Sequence, residues 1–99
     1  MHLIFSDQAK TDLKRIAEYI ARRSKNRSVG SNFAQKIVDK CKELASIEGK
    51  IGIARPELAQ GIRSYPFGNY VIFFLYERDI FRVVTIVEGH RDIYALFSA

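Results

Sequence analysis

The apolar and polar positions fall into two regimes, a helical one in the first half of the chain and a strand-like one in the second. HLIFS is a short apolar run fit for a first strand, and Ser6-Asp7 behind it can cap a helix. From there Ala9, Leu13, Ile16, Ala17, Ile20 and Ala21 recur at helical spacing, with Lys10, Lys14, Arg15, Glu18, Arg22 and Arg23 on the other face. The small polar run SKNRSVGS breaks the pattern. A second helix follows, with Phe33, Ile37, Cys41, Leu44 and Ala45 along one stripe, stopping near Gly49. So short a break implies an antiparallel αα-hairpin.

GKIGIARPELAQG is a loop, with Gly49, Gly52, Pro56 and Gly61 as punctuation. Three strands are then expected, Gly61–Phe67, Tyr70–Glu77 and Ile80–Gly89. Gly68-Asn69 places glycine first in a two-residue turn, which suits type II′. Arg78-Asp79 is a poorer turn pair and leaves the register of the second hairpin less constrained. The tail HRDIYALFSA is expected to add a short helix or strand. The order β-α-α-β-β-β predicts an α+β fold, an N-terminal strand and helical hairpin packed on an antiparallel C-terminal sheet.

The middle strand raises a problem of cover. YVIFFLY is apolar or aromatic at every position, whereas antiparallel sheets usually keep one face polar. With the turn at Gly68-Asn69, Arg63, Tyr65, Phe67, Tyr70, Ile72, Phe74 and Tyr76 share one face. Ile62, Ser64, Pro66, Val71, Phe73 and Leu75 share the other. Two helices can cover one face, and the aliphatic and Phe-lined one is the expected choice. The Arg63/Tyr65/Tyr70 face is then left open for a segment of another chain. The alternative is that the loop and the C-terminal tail fold across it.

The remaining features narrow the function. At 99 residues the chain is one domain, 1–99, long enough to bury roughly 65% of its unfolded surface. An apolar fraction of 47% is ordinary for a globular domain. No apolar run approaches the ~20 residues that span a bilayer, and MHLIFSDQ lacks the layout of a signal peptide. One cysteine, Cys41, suggests a reducing cytoplasm and, on an apolar helical stripe, a small core side chain. Net charge is +5, and residues 1–50 hold eleven Lys/Arg against six Asp/Glu while the second half is balanced. Such a helical surface favours an acidic protein or a nucleic-acid backbone, or simply serves solubility. With His2 and His90 far apart in sequence, no metal or cofactor is expected, and no nucleophile-elbow or phosphate-loop spacing is present. The polar residues that stand out are Glu48, Arg55, Arg63, Glu88, His90, Arg91 and Asp92. Arg63 is a charge in an apolar strand, and EGHRD gathers charge behind the last strand. Arg91-Asp92 can equally be an ion pair that pins the tail.

ARPELAQGIRSYPFGNYVIFFLYE, followed by VVTIVEGHRDIYALF and preceded by FSDQAKTDLKRIAEYIA, resembles the ParE branch of the RelE/ParE toxin superfamily of bacterial toxin–antitoxin modules, familiar from plasmid stabilisation. The likeness covers nearly the whole chain and rests on Arg55-Pro56-Glu57-Leu58, Gly61-Ile62-Arg63 and Arg91-Asp92. It departs where members often carry His before the glycine of the tail, a position held here by Glu88; His90 follows the glycine instead. The resemblance implies a toxin that binds and blocks DNA gyrase, a binding protein with no catalytic residue. It implies neutralisation by a ParD-like antitoxin in a hetero-oligomer, with operator DNA bound only through the antitoxin. Arg63, His90, Arg91 and Asp92 are then the target-related residues, and Tyr65, Phe67, Tyr70, Ile72, Phe74 and Tyr76 the antitoxin-binding ones. The alternative on the same fold is a ribosome-dependent mRNA endoribonuclease of the RelE type. Glu48, Arg63 and His90 would then serve as base, charge stabiliser and acid, with Tyr94 or Arg91 assisting. A third possibility is an inactive antitoxin-binding relative.

Overall fold

The computed structural model describes residues 1–89 and 93–97. The elements are β1 (His2–Phe5), α1 (Asp7–Ser24), α2 (Arg27–Ser46), β2 (Ile53–Ala54), β3 (Arg63–Phe67), β4 (Tyr70–Glu77), β5 (Ile80–Glu88) and α3 (Ile93–Phe97). The sheet has the order β1-β5-β4-β3-β2, with β1 parallel to β5 and the other pairs antiparallel. The expected α+β architecture is present. What the sequence pattern missed is the two-residue strand β2 inside the loop, which adds an edge to β3.

Ser6 fixes where α1 begins. Its hydroxyl oxygen accepts from the Ala9 N–H at 3.0 Å, and the hydroxyl donates to the Val84 carbonyl at 2.6 Å. Its own N–H bonds the Val83 carbonyl, so the helix cap is tied to β5. At the other end Lys25 takes the left-handed conformation (φ 56°) that closes many helices. Asn26 then caps α2 at once, its side-chain oxygen accepting from Ser28 and Val29.

The expected break at SKNRSVGS therefore shrinks to Lys25-Asn26. The small polar residues that look like a linker form the first turns of α2, and Gly30 sets the contact between the helices. A Cβ there would lie 2.1 Å from the Ala17 carbonyl oxygen and 3.0 Å from the Ala21 nitrogen. A glycine normally weakens a helix, but here it lets two backbones approach.

Gly68 has φ 60° while Asn69 keeps a negative φ, as a type II′ turn requires, and the β3–β4 register follows as expected. In the second hairpin Arg78 occupies the corresponding left-handed position at φ 57°. The β4–β5 ladder also slips between Phe73 and Phe74. The extra residue is Val84 of β5, while Phe73 and Phe74, both fully buried, take opposite faces of the sheet by ordinary strand alternation.

Candidate partner-binding surfaces

β4 is the central strand, and both of its faces are covered. The residues expected to share a face do so, but the placement of the cover is reversed. The helices lie on the Tyr65/Phe67/Tyr70/Ile72/Phe74/Tyr76 face, where α1 and α2 supply Ala9, Ile16, Ile37, Cys41, Leu44 and Ala45. Phe74 stacks on Phe81 with centroids 4.5 Å apart, and Tyr76 meets both edge-on. Phe33 of α2 packs against Phe67 and Tyr70 at 6.0 and 5.7 Å. Ile72 and Phe74 have no exposed area, so the folded chain offers neither to a partner. Tyr65, Phe67, Tyr70 and Tyr76 are half-buried at the margin of this core. The Lys40 ammonium lies 5.8 Å from the Tyr65 ring, and burial pushes the Tyr70 phenol up, with Glu88 adding to the effect.

The loop and the tail do fold across the sheet, but over the opposite face. Leu58 and Ile62, from the turn between β2 and β3, pack with Phe73 and Val87, and Ile93 and Phe97 of α3 close over them. Phe97 meets Phe73 edge-on at 5.3 Å. This cover is one turn and five helical residues thick. Its outer side is apolar too, with Tyr94 56% and Leu96 42% exposed.

Arg63 is a clamp. Its Nε–H donates to the Ile51 carbonyl at 2.8 Å and its Nη2 to the Gly52 carbonyl at 3.0 Å. The Ile51 N–H donates to the Tyr76 hydroxyl at 2.9 Å, so two side chains of the sheet hold the chain leaving α2. Glu48 is exposed and lines a hollow of about 380 Å³ with Met1, Ile47 and Arg78, whereas Arg63 lines another of about 190 Å³ with Pro56 and Gly61. Both hollows touch Lys50 and Tyr76, but Glu48 and Arg63 share neither. His90, Arg91 and Asp92 lie outside the described residues. Arg55 pairs with Glu57 at 2.7 Å, and this bond holds the Glu57 carboxyl below its ordinary value. Glu88 is exposed.

Sequence reasoning passed over Asp12. It is 7% exposed, and its Oδ2 accepts from the Thr85 hydroxyl at 2.5 Å and the Ile86 N–H at 3.0 Å. Its Oδ1 accepts from the Gln8 amide at 2.8 Å. A buried carboxylate with three donors is a satisfied tether between α1 and β5. The signal was available, since Asp12 lies three residues after Ala9 and four before Ile16, inside the apolar stripe. Two hollows meet at Asp12, Arg15 and Val87. One, of about 210 Å³, reaches Tyr19, Tyr70 and Glu88. The other, of about 360 Å³, reaches Leu96 and Phe97. Together they form a trough from the margin of the aromatic core to the edge of α3.

Cys41 is buried in the core, as expected, and burial pushes its thiol up to about 12. Among the described residues no group of three His, Cys, Asp or Glu could hold a metal ion, and no helix is long and apolar enough to cross a membrane.

Residues 3–93 match the family described as the ParE toxin of the type II toxin-antitoxin system, parDE. Among solved structures, a chain described as the chromosomal ParDE TA system from P. aeruginosa is similar at a TM-score of 0.66 and 21% identity, over 89% of this chain and 95% of that one. That likeness is one of fold. No curated protein sequence matches the chain.

Proposed function

This chain belongs to the ParE toxin family of type II toxin–antitoxin systems, and we propose that it binds and inhibits DNA gyrase. It acts in the cytoplasm as a binding protein, and a ParD-like antitoxin neutralises it by holding it in a hetero-oligomer. The observation that carries this reading is the family match over residues 3–93, nearly the whole chain.

The antitoxin covers the trough between α1, β5 and α3. Its half-buried and exposed rings, Tyr70 and Tyr19, are the aromatic anchors that interfaces favour, and Arg15 at its centre meets an acidic group of the partner. Of the residues expected to bind antitoxin, Tyr70 lines this trough, and Tyr65, Phe67 and Tyr76, half-buried elsewhere on the margin of the aromatic core, are proposed to extend the interface beyond it. Ile72 and Phe74 act only by shaping the core beneath them. His90, Arg91 and Asp92 are proposed to face the target, and Arg63 to position the chain around Ile51 and Gly52.

Purified, folded toxin should inhibit gyrase supercoiling, and added antitoxin should restore it. Normal supercoiling at saturating toxin would discard the gyrase reading. In a parallel reaction with translating ribosomes, new 5′-hydroxyl mRNA ends would replace it with the endoribonuclease.

A further inference from the structure

The tip of the helical hairpin concentrates positive charge that no ion pair among the described residues neutralises. Arg22 and Arg23 lie in the last turn of α1, Lys25 in the turn and Arg27 at the first position of α2, all exposed. None of the four is in an ion pair within the described residues; the basic side chains that are so paired are His2, Lys40, Arg55 and Arg82. No acidic residue occurs between Glu18 and Asp39, and the first turn of α2 has none. Arg22 and Arg27 line one hollow of about 530 Å³ with Ala17, Ala21, Ser31 and Glu18, the one carboxylate in its lining. Arg23 lies 5.8 Å from the Tyr19 ring and donates to its hydroxyl at 3.4 Å, which restrains the guanidinium. Exposed Ser24, Asn26, Ser28, Ser31 and Asn32 supply further hydrogen-bonding groups.

Two kinds of anionic partner fit a cationic surface, and the side chains between the cations distinguish them. A protein interface needs large apolar anchors at its centre. From Arg22 to Asn32 the only large apolar side chain is Val29, and the floor of the hollow is alanine. The sugar–phosphate backbone requires only cations and hydrogen-bond donors, without regard to sequence. We infer that Arg22, Arg23, Lys25 and Arg27 form a contact site for the phosphate backbone of duplex DNA. The toxin thus grips DNA directly and without sequence preference, a contact distinct from operator recognition and independent of whether gyrase is the target.

The test is binding of the full chain to a fluorescein-labelled duplex of arbitrary sequence, followed by anisotropy as salt is raised. If each cation releases about 0.9 counterions, log K falls against log salt with a slope of about −3.6. Affinity then drops on the order of a hundredfold between ~50 and ~200 mM salt. The combined variant Arg22→Gln, Arg23→Gln, Lys25→Gln, Arg27→Gln alters only exposed side chains and should abolish this binding with an unchanged circular dichroism spectrum. The pair Arg22→Gln, Arg27→Gln should halve the slope. The control Lys10→Gln, Lys14→Gln, Lys42→Gln, Lys50→Gln removes the same charge elsewhere and should keep most of the affinity. Absence of wild-type binding, or equal losses in the two quadruple variants, would overturn the assignment. So would displacement of the duplex by polyglutamate as readily as by unlabelled duplex, which would mark the tip as a dock for an acidic protein.

Discussion

Phe73 and Phe74 are neighbours on one strand, equally inaccessible, yet they belong to cores of different construction. Phe74 faces two helices of 18 and 20 residues whose backbone groups are satisfied internally, and it stacks on Phe81. Phe73 faces a turn carrying Leu58 and Ile62 and a five-residue helix, too short to persist without the sheet beneath it. Burial is therefore a poor guide to how firmly a residue is held. A thick layer resists local opening, while a thin one can lift away at low cost and leave the rest folded.

The sharpest way to break this comparison is to truncate both rings. Phe74→Ala should cost about 4 kcal/mol, read from urea unfolding. Phe73→Ala should cost about 1 kcal/mol less, because a thin cover can settle into the vacated space. Equal losses would show that the two covers are equally rigid. Gly30→Ala comes next. It forces α1 and α2 apart and should cost about 2–3 kcal/mol despite its better helix propensity, since the clash is with backbone. A neutral result would mean that the helices can slide. Arg63→Ala should cost about 2 kcal/mol, from two lost charge-assisted bonds on a half-buried group. Its mark would be faster amide exchange around Ile51 and Ile53; an unchanged exchange pattern would restore Arg63 to a purely target-facing role. The smallest effect belongs to Phe97→Ala, about 1 kcal/mol globally. It should nonetheless abolish amide protection in α3 and increase binding of an apolar dye, while the α1 and α2 amides stay protected. If their protection fell equally, the thin cover would be part of the main cooperative unit.

Much of this was legible along the chain because it depends on local rules. Ser6 as a cap, the apolar stripe from Ala9 to Ala21 and the Gly68-Asn69 turn each act within a few residues, and the register of β3 against β4 follows from the turn alone. Gly30 misled because one residue type serves both linkers and close helix contacts, and only the partner backbone at Ala17 tells them apart. Asp12 was passed over because a charge inside an apolar stripe has meaning only once Thr85 and Ile86, more than seventy residues away, stand opposite it. Arg63 likewise stood out only as a charge in an apolar strand, because its bonds to the carbonyls of Ile51 and Gly52 depend on how the loop folds back.

The sequence by itself determined β1, the two long helices and β3 to β5, their order, which residues of β3 and β4 share a face, and that neither face of β4 could be left to water. Those follow from side-chain periodicity and turn stereochemistry, which need no knowledge of distant parts. Which face received the helices was decided only by the tertiary structure. That choice depends on how much volume the rings of Phe33, Phe74, Tyr76 and Phe81 occupy together, and on what the loop and tail can reach. Shape complementarity between segments far apart in the chain leaves no periodic trace.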